Sequence, residues 1–147
     1  MRIHTTPPSN FYPCMEVSAC YIEIDHTLLL LRRSLAKSQP GAWGVPGGKR
    51  EGKESPLQTA LRELYEETGI QLLSLLQIEP ITTLFLQREK EDFIYHMFEV
   101  FLSDKPEIRI TKEHMQYAWA SKKELKKMPL VEGAIEVLAF RKPKTFL

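Results

Sequence analysis

Three glutamates, Glu63, Glu66 and Glu67, stand at positions i, i+3 and i+4 of the chain. On a helix that spacing brings all three carboxylates to one face. Like charges so close repel each other unless something cationic lies among them. Arg62, which reaches Glu66 at i+4, is one candidate, and a hard divalent cation is the other. Mg²⁺ takes carboxylate and carbonyl oxygens, keeps several waters and bridges to substrate phosphates; Mn²⁺ suits the same oxygens. An acidic helix face alone reads first as a solvated one. The preceding Pro46-Gly47-Gly48 shifts the balance, because glycine lets the backbone approach closely and aim a carbonyl at the same point. Such a loop feeding such a helix reads as a metal–phosphate site.

The elements that must position these groups are legible around them. Ser55 can cap a helix whose first position is Pro56, and Gly69 can end it in the left-handed conformation. Leu57, Leu61 and Leu64 repeat at helical spacing and predict a buried stripe opposite the glutamates. Upstream, residues 17–24 and 28–33 read as strands joined by a tight turn at Asp25-His26-Thr27, and 34–53 read as a loop. Downstream, strands are expected at 72–79, 81–87 and 93–102, with 87–92 as a charged hairpin loop and Tyr117-Ala118-Trp119 as a short strand. Ser121 to Glu124 has capping-box form, and a last helix is expected over 131–141. Residues 1–14, rich in Pro, Thr and Ser, read as a loose arm preceding one domain over 15–147. Strands and helices in this order predict an α/β or α+β domain with helices covering a mixed β-sheet.

Composition narrows the function classes. The chain has 147 residues, a formal charge of +1, 43% hydrophobic and 27% charged residues, as an ordinary globular domain does. The near-zero charge gives no electrostatic footprint for nucleic acid. The longest aliphatic run, Leu28 to Leu31, falls far short of the roughly 20 apolar residues of a membrane span. With no apolar leader and only Cys14 and Cys20, a reducing, cytoplasmic setting is expected, with Cys20 as a small buried hydrophobe. The basic C-terminal residues, Arg141, Lys142 and Lys144 among them, read as a solvated face and tail.

Gly48, Glu54, Arg62, Glu63, Leu64, Glu66, Glu67, Gly69 and Ile70 satisfy every fixed position of a 23-residue pattern, G-x5-E-x7-R-E-U-x-E-E-x-G-U with U aliphatic. The chain thus resembles the Nudix hydrolases. The likeness extends upstream through Trp43 to Gly48 and downstream through Tyr117 to Trp119 and the helix after it. It implies an α/β/α sandwich and Mg²⁺- or Mn²⁺-dependent hydrolysis of a nucleoside diphosphate linked to a group X. By the same resemblance Glu63, Glu66 and Glu67 fall on metal-ligand positions, with the Gly48 carbonyl and Glu113 as further ligands. Arg62 and Glu54 look like the pair that orients the helix carboxylates. The proton of the attacking water goes to Glu63, Glu66 or Glu113, an assignment that differs across the family. Arg33, or Arg32, matches a basic position that meets substrate phosphate.

Which X is carried outside the box. The SQPWPFPxS sequence of NADH-directed members and the coenzyme A signature are missing. Phe85 occupies the region where ADP-ribose-directed members place a proline, and Gln87 and Arg88 the region of the dinucleoside polyphosphate tyrosine. What remains resembles the MutT-like group, which converts a (d)NTP to (d)NMP and pyrophosphate. Glu132 stands where MutT proper has an asparagine that reads oxidised guanine. Trp43, with Gly47 beside it, is the aromatic expected to meet a base; Phe11, Tyr12, Phe85 and Tyr95 are further stacking candidates, and His96 and His114 read as structural or surface residues. The expected partner is a small nucleotide, with neither nucleic acid nor membrane, bound by a monomer or a homodimer.

Overall fold

The computed structural model describes residues 1–141. Its strands are β1 (Arg2–His4), β2 (Pro13–Ile24), β3 (Thr27–Arg33), β4 (Trp43–Gly44), β5 (Gly47–Lys49), β6 (Ile78–Arg88), β7 (Glu91–Val100) and β8 (His114–Ser121). Its helices are α1 (Pro56–Thr68), α2 (Lys122–Leu125) and α3 (Ala134–Leu138). β2 is the pivot of the sheet. It runs parallel to β7 from Met15 to Ile22, while β5 pairs antiparallel with Val17, Ser18 and Ala19 on its other edge. Only Glu23 and Ile24 remain to pair with β3. The sheet therefore splays, with β1, β6, β7 and β5 on the β2 side and β4 and β8 on the β3 side.

Alternation along β2 divides the core into two layers. Cys20, Ile22 and Ile24 face Ala60 and Leu64 of α1, while Ala19 and Tyr21 face Leu125, Val137 and Leu138 of α2 and α3. Helices thus cover both faces of a mixed sheet, as expected. Cys20 is fully buried with its thiol directed at the Ala60 carbonyl. Among the described residues no helix is long and apolar enough to cross a membrane.

Several boundaries differ from expectation for local reasons. The 1–14 arm is not loose throughout, because Arg2, Ile3 and His4 pair with Gln87, Leu86 and Phe85 as an edge strand. Over 72–79, the Ser74–Gln77 capping box closes a 3₁₀ turn at Leu75–Gln77 and leaves Leu73 and Leu76 exposed. β6 admits Pro80 beside a bulge, the register shifting between Pro80 and Thr82. The charged 87–92 segment is mostly strand, Arg88 pairing with Glu91 across a two-residue turn. The final helix shrinks to Ala134–Leu138, since Gly133 precedes it at φ +84° and residues 139–141 tighten into i→i+3 bonds. Arg141 is no solvated basic residue: it is 2% exposed and bonds Glu99 and Glu23. Lys142 and Lys144 lie outside the described residues.

Candidate active site

α1 begins as its sequence dictates. The Ser55 hydroxyl accepts from the Gln58 amide, the Gln58 side chain accepts from the Ser55 amide, and Gly69 closes the helix at φ +78°. The three glutamates then meet very different surroundings. Glu66 projects outward, Glu63 is mostly covered, and Glu67 is buried at 5% exposure. The expected opposition of an acidic face to the leucine stripe holds for Leu64, but Glu67 itself reaches the interior beneath β5. There its Oε1 accepts from the Gly47 N–H at 2.8 Å. Burial, reinforced by the charge of Glu63, lifts the Glu67 carboxyl to about 8, and burial also raises that of Glu63.

The two glycines have separate tasks. A Cβ on Gly47 would stand 2.5 Å from the Ser18 carbonyl oxygen and 2.9 Å from the Ala19 Cα. Only glycine lets β5 lie this close to β2. A Cβ on Gly48 would stand 2.3 to 2.7 Å from the carboxyl atoms of Glu63, so Gly48 is the bed on which that carboxylate rests. Arg62 organises the rest. Its Nε and Nη2 donate to Glu54 at 2.6 and 3.0 Å, its Nη1 to Glu63 at 2.7 Å, and Glu66 lies 3.3 Å from Nη1. The pairing predicted for Arg62 and Glu54 is thus present, and the Arg62 guanidinium holds the Glu54 carboxyl down at about 2.

The β3–β8 ladder brings a second group to the same place. Glu113 precedes β8, close enough that its charge acts on both Glu63 and Glu67, and Lys37 donates to it at 3.0 Å. That contact lowers the Glu113 carboxyl. Arg33 and His114 pair across the ladder. Burial, with the charges of Lys37 and Arg33, lowers the His114 imidazole to about 4.

These groups rim a cavity of about 780 Å³ between the splayed halves of the sheet, within the range of small-ligand pockets. Gly47, Gly48, Glu63, Glu66, Glu67, Arg33 and Glu113 line it, and so does Glu132, whose carboxylate lies 3.5 Å from the Met1 amino group. Arg32 and Trp43 do not. Neighbouring strand residues point to opposite faces, so Arg33 takes the cavity side while Arg32 turns outward, onto the Gly41 carbonyl and Gln116. Trp43 packs against the core with the Arg32 guanidinium 5.9 Å over its ring. Phe11 and Phe85 pair edge-to-face elsewhere, whereas Tyr95 lines the cavity, its hydroxyl 2.7 Å from that of Tyr21. Sequence reasoning missed Lys37, Tyr21, Arg88 and Glu91 as wall residues, and placed His114 outside the site. Strand register brings in Tyr21, Arg88, Glu91 and His114, and the loop after β3 brings in Lys37. His96, by contrast, is structural, bridging Glu16 and Thr83.

An acid cluster tied to a glycine bed, with basic side chains lining the same open cavity, is equipped to hydrolyse a phosphoanhydride. The chain matches the NUDIX domain model over residues 14–140 and belongs to that family, the Nudix hydrolases, which act on nucleotide pyrophosphate bonds. It is 33% identical over 124 residues to the CTP pyrophosphohydrolase of Escherichia coli, covering 84% of this chain and 88% of that one. It is 32% identical over 100 residues to the asymmetrical bis(5'-nucleosyl)-tetraphosphatase of Rattus norvegicus, covering 66% and 67%. Among solved structures, the MutT protein of Methanosarcina mazei superposes with a TM-score of 0.71 at 25% identity, covering 87% and 90%.

Proposed function

We propose that the chain hydrolyses a nucleoside triphosphate to a nucleoside monophosphate and pyrophosphate, with Mg²⁺ (or Mn²⁺) held by the acid cluster. The observation that carries this reading is the seating of Glu63 and Glu67 on Gly48 and Gly47 at the rim of the cavity. Among the described residues no three His, Cys, Asp or Glu side chains form a ready-made metal cage. A hexacoordinate Mg²⁺ does not require one, since it is typically bound through one or two carboxylates and keeps its waters. The donor set fits: Glu63, Glu66, Glu67 and Glu113 offer carboxylate oxygens and Gly48 a carbonyl, all hard ligands. When bound, the cation would neutralise phosphate charge and acidify the attacking water.

The chain's own residues do the remainder. Arg33 and Lys37 bring positive charge to the phosphates from the wall opposite α1. Arg62, itself fixed by Glu54, holds Glu63 and Glu66 in place. Water adds to a phosphorus of the α–β linkage and the bond from that phosphorus to the bridging oxygen breaks, so that the substrate parts into nucleoside monophosphate and pyrophosphate. The water's proton passes to a carboxylate among Glu63, Glu66 and Glu113. Glu132, on the wall beyond, is available as an acceptor toward the nucleoside. The CTP pyrophosphohydrolase relationship, extending over most of both chains, supports a triphosphate substrate. The tetraphosphatase relative favours dinucleoside polyphosphates as the second reading. We further infer that residues 15–147 act as one catalytic domain, a reading the family match over 14–140 supports. A panel of ordinary and oxidised (d)NTPs, dinucleoside polyphosphates, ADP-ribose and nucleotide sugars, with products resolved by chromatography, tests the assignment. Release of pyrophosphate and monophosphate from a triphosphate supports it. Turnover confined to dinucleoside polyphosphates would replace it with the second reading.

A further inference from the structure

The sheet has two long edges, and they are built differently. β1 pairs with β6 at Phe85, Leu86 and Gln87, which leaves 78–84 without a strand on its outer side among the described residues. That stretch carries Glu79, Pro80 and a bulge, features that keep a sheet edge from pairing with other chains. The opposite edge is β8, eight residues long. It pairs with β3 along its length, and no strand lies on its outer side among the described residues. Alternate residues of an antiparallel strand turn their N–H and C=O groups away from the partner. Over 115–120 those outward groups have no backbone partner among the described residues. β8 holds no Asp, Glu, Lys, Arg or Pro, and its bulge lies at one end, opposite Arg32 and Arg33. Met115 and Tyr117 stand 38% and 46% exposed. A long, neutral edge of this kind is a template for a further strand.

We propose that the occupant is a second copy of this chain, the two β8 strands pairing antiparallel about a two-fold axis beside Tyr117 to form one continuous sheet. Such a contact is isologous, the same surface meeting itself. The axis sets each mid-strand residue opposite itself or a near neighbour, where like charges repel and aromatic or apolar pairs attract. β8 meets that condition: its middle, Gln116, Tyr117 and Ala118, has no charge to set against itself. The outward N–H and C=O groups of each strand are then satisfied by the other. Selection of a foreign strand rests instead on pockets for its side chains, and β8 gives the cavity His114 alone. The exposed leucines Leu73 and Leu76 are the rival surface, but they sit on a closed 3₁₀ turn and offer no strand to pair.

Sedimentation velocity over a range of protein concentrations, with thermal melts alongside, tests this. The wild type should pass from monomer to dimer as concentration rises. Y117K and Y117E each put like charges at the axis and should raise the dimer dissociation constant about 10–100-fold, while their melts at low concentration stay near that of the wild type. Mixed in equal amounts, the two variants should recover the dimer, since Lys then faces Glu. A wild type that is monomeric at every concentration overturns the proposal and leaves the edge to an extended segment of another protein. Variants that dimerise as the wild type does, a mixture that stays monomeric, or a dimer lost instead in L76S overturn it as well. If neither charged variant folds, hydrogen exchange of the wild type decides. Amides of 115–120 that gain protection as the protein is concentrated uphold the proposal, and amides that exchange equally at all concentrations overturn it.

Discussion

Adding a single methyl group at Gly48 should separate catalysis from folding. In Gly48→Ala the new Cβ would lie 2.3 Å from the Glu63 carboxyl carbon and 2.5 and 2.7 Å from its two oxygens. Ordinary contact distances are about 3.5–4.0 Å, so the carboxylate must retreat by roughly 1 Å or more. It is the end of a flexible side chain, and it can retreat. The stability cost is then a loosened Arg62–Glu63 pair, about 0.2–1 kcal/mol, plus an off-rotamer side chain, about 0.5–1.5 kcal/mol. Together these lower Tm by roughly 2–8 °C for a chain of this size. Displacing a reacting group by about 1 Å costs on the order of 10²-fold in rate. Steady-state hydrolysis and a calorimetric melt, run on the same preparation, should therefore show a large loss of kcat/KM beside a small loss of Tm. Wild-type turnover in folded Gly48→Ala would refute the placement of Glu63 on that glycine.

The neighbouring Gly47→Ala should do the opposite. Its Cβ meets the β2 backbone, 2.5 Å from the Ser18 oxygen, so denaturant melts should show a loss of about 3 kcal/mol or more. Glu54 supplies a pH test. Arg62 beside it lowers its carboxyl from 4.5 to about 2, so its contribution to stability is present above pH 4.5 and is lost as pH falls toward 2. Arg62 and Thr59 face that carboxyl, and the Glu51 amide donates to it. Tm measured from pH 7 down to 2 should put Glu54→Gln below wild type at neutral pH and close the gap at the acid end; parallel curves would contradict the pairing. Arg141→Met leaves Glu99 and Glu23, only 10% and 11% exposed, without the guanidinium between them. A loss of about 3–5 kcal/mol is expected in urea titrations, and an unchanged midpoint would show the pair to be dispensable.

What could be read from residue types alone was mostly local. The capping of α1 by Ser55 and its end at Gly69 follow from neighbouring residues, and so does the Asp25-His26 turn, whereas the Arg62–Glu54 pairing was legible only through the family resemblance. The glycine bed was legible as a need for close approach, though not which atoms approach. Long-range register was hidden. The sequence shows Arg32 and Arg33 as equals, and only the β3–β8 ladder decides that Arg33 faces the cavity. Trp43 looked exposed in a Pro/Gly loop, yet its short strand pairs with β3 and tucks the ring against the core. Residues 87–92 read as a charged hairpin loop, but the turn itself is only Glu89-Lys90, with no glycine or asparagine to announce so tight a hairpin, so Arg88 and Glu91 do not read as strand residues. The leucines at 72–76 have strand-like character, but Ser74 and Gln77 satisfy each other first and close a turn instead.

The proposed function requires that α1 carry a cation-dependent hydrolytic centre completed by Glu67. The most direct measurement is hydrolysis of a nucleoside triphosphate by wild type and Glu67→Gln across a Mg²⁺ titration, with pyrophosphate and monophosphate quantified and melts recorded at each Mg²⁺ concentration. Glutamine keeps a carbonyl oxygen for the Gly47 N–H and fills the same space, so the variant should fold. Wild-type rate and Tm should rise together with Mg²⁺, while the variant shows neither turnover nor a comparable Tm shift. A folded Glu67→Gln protein with the wild-type rate and Mg²⁺ dependence would contradict it.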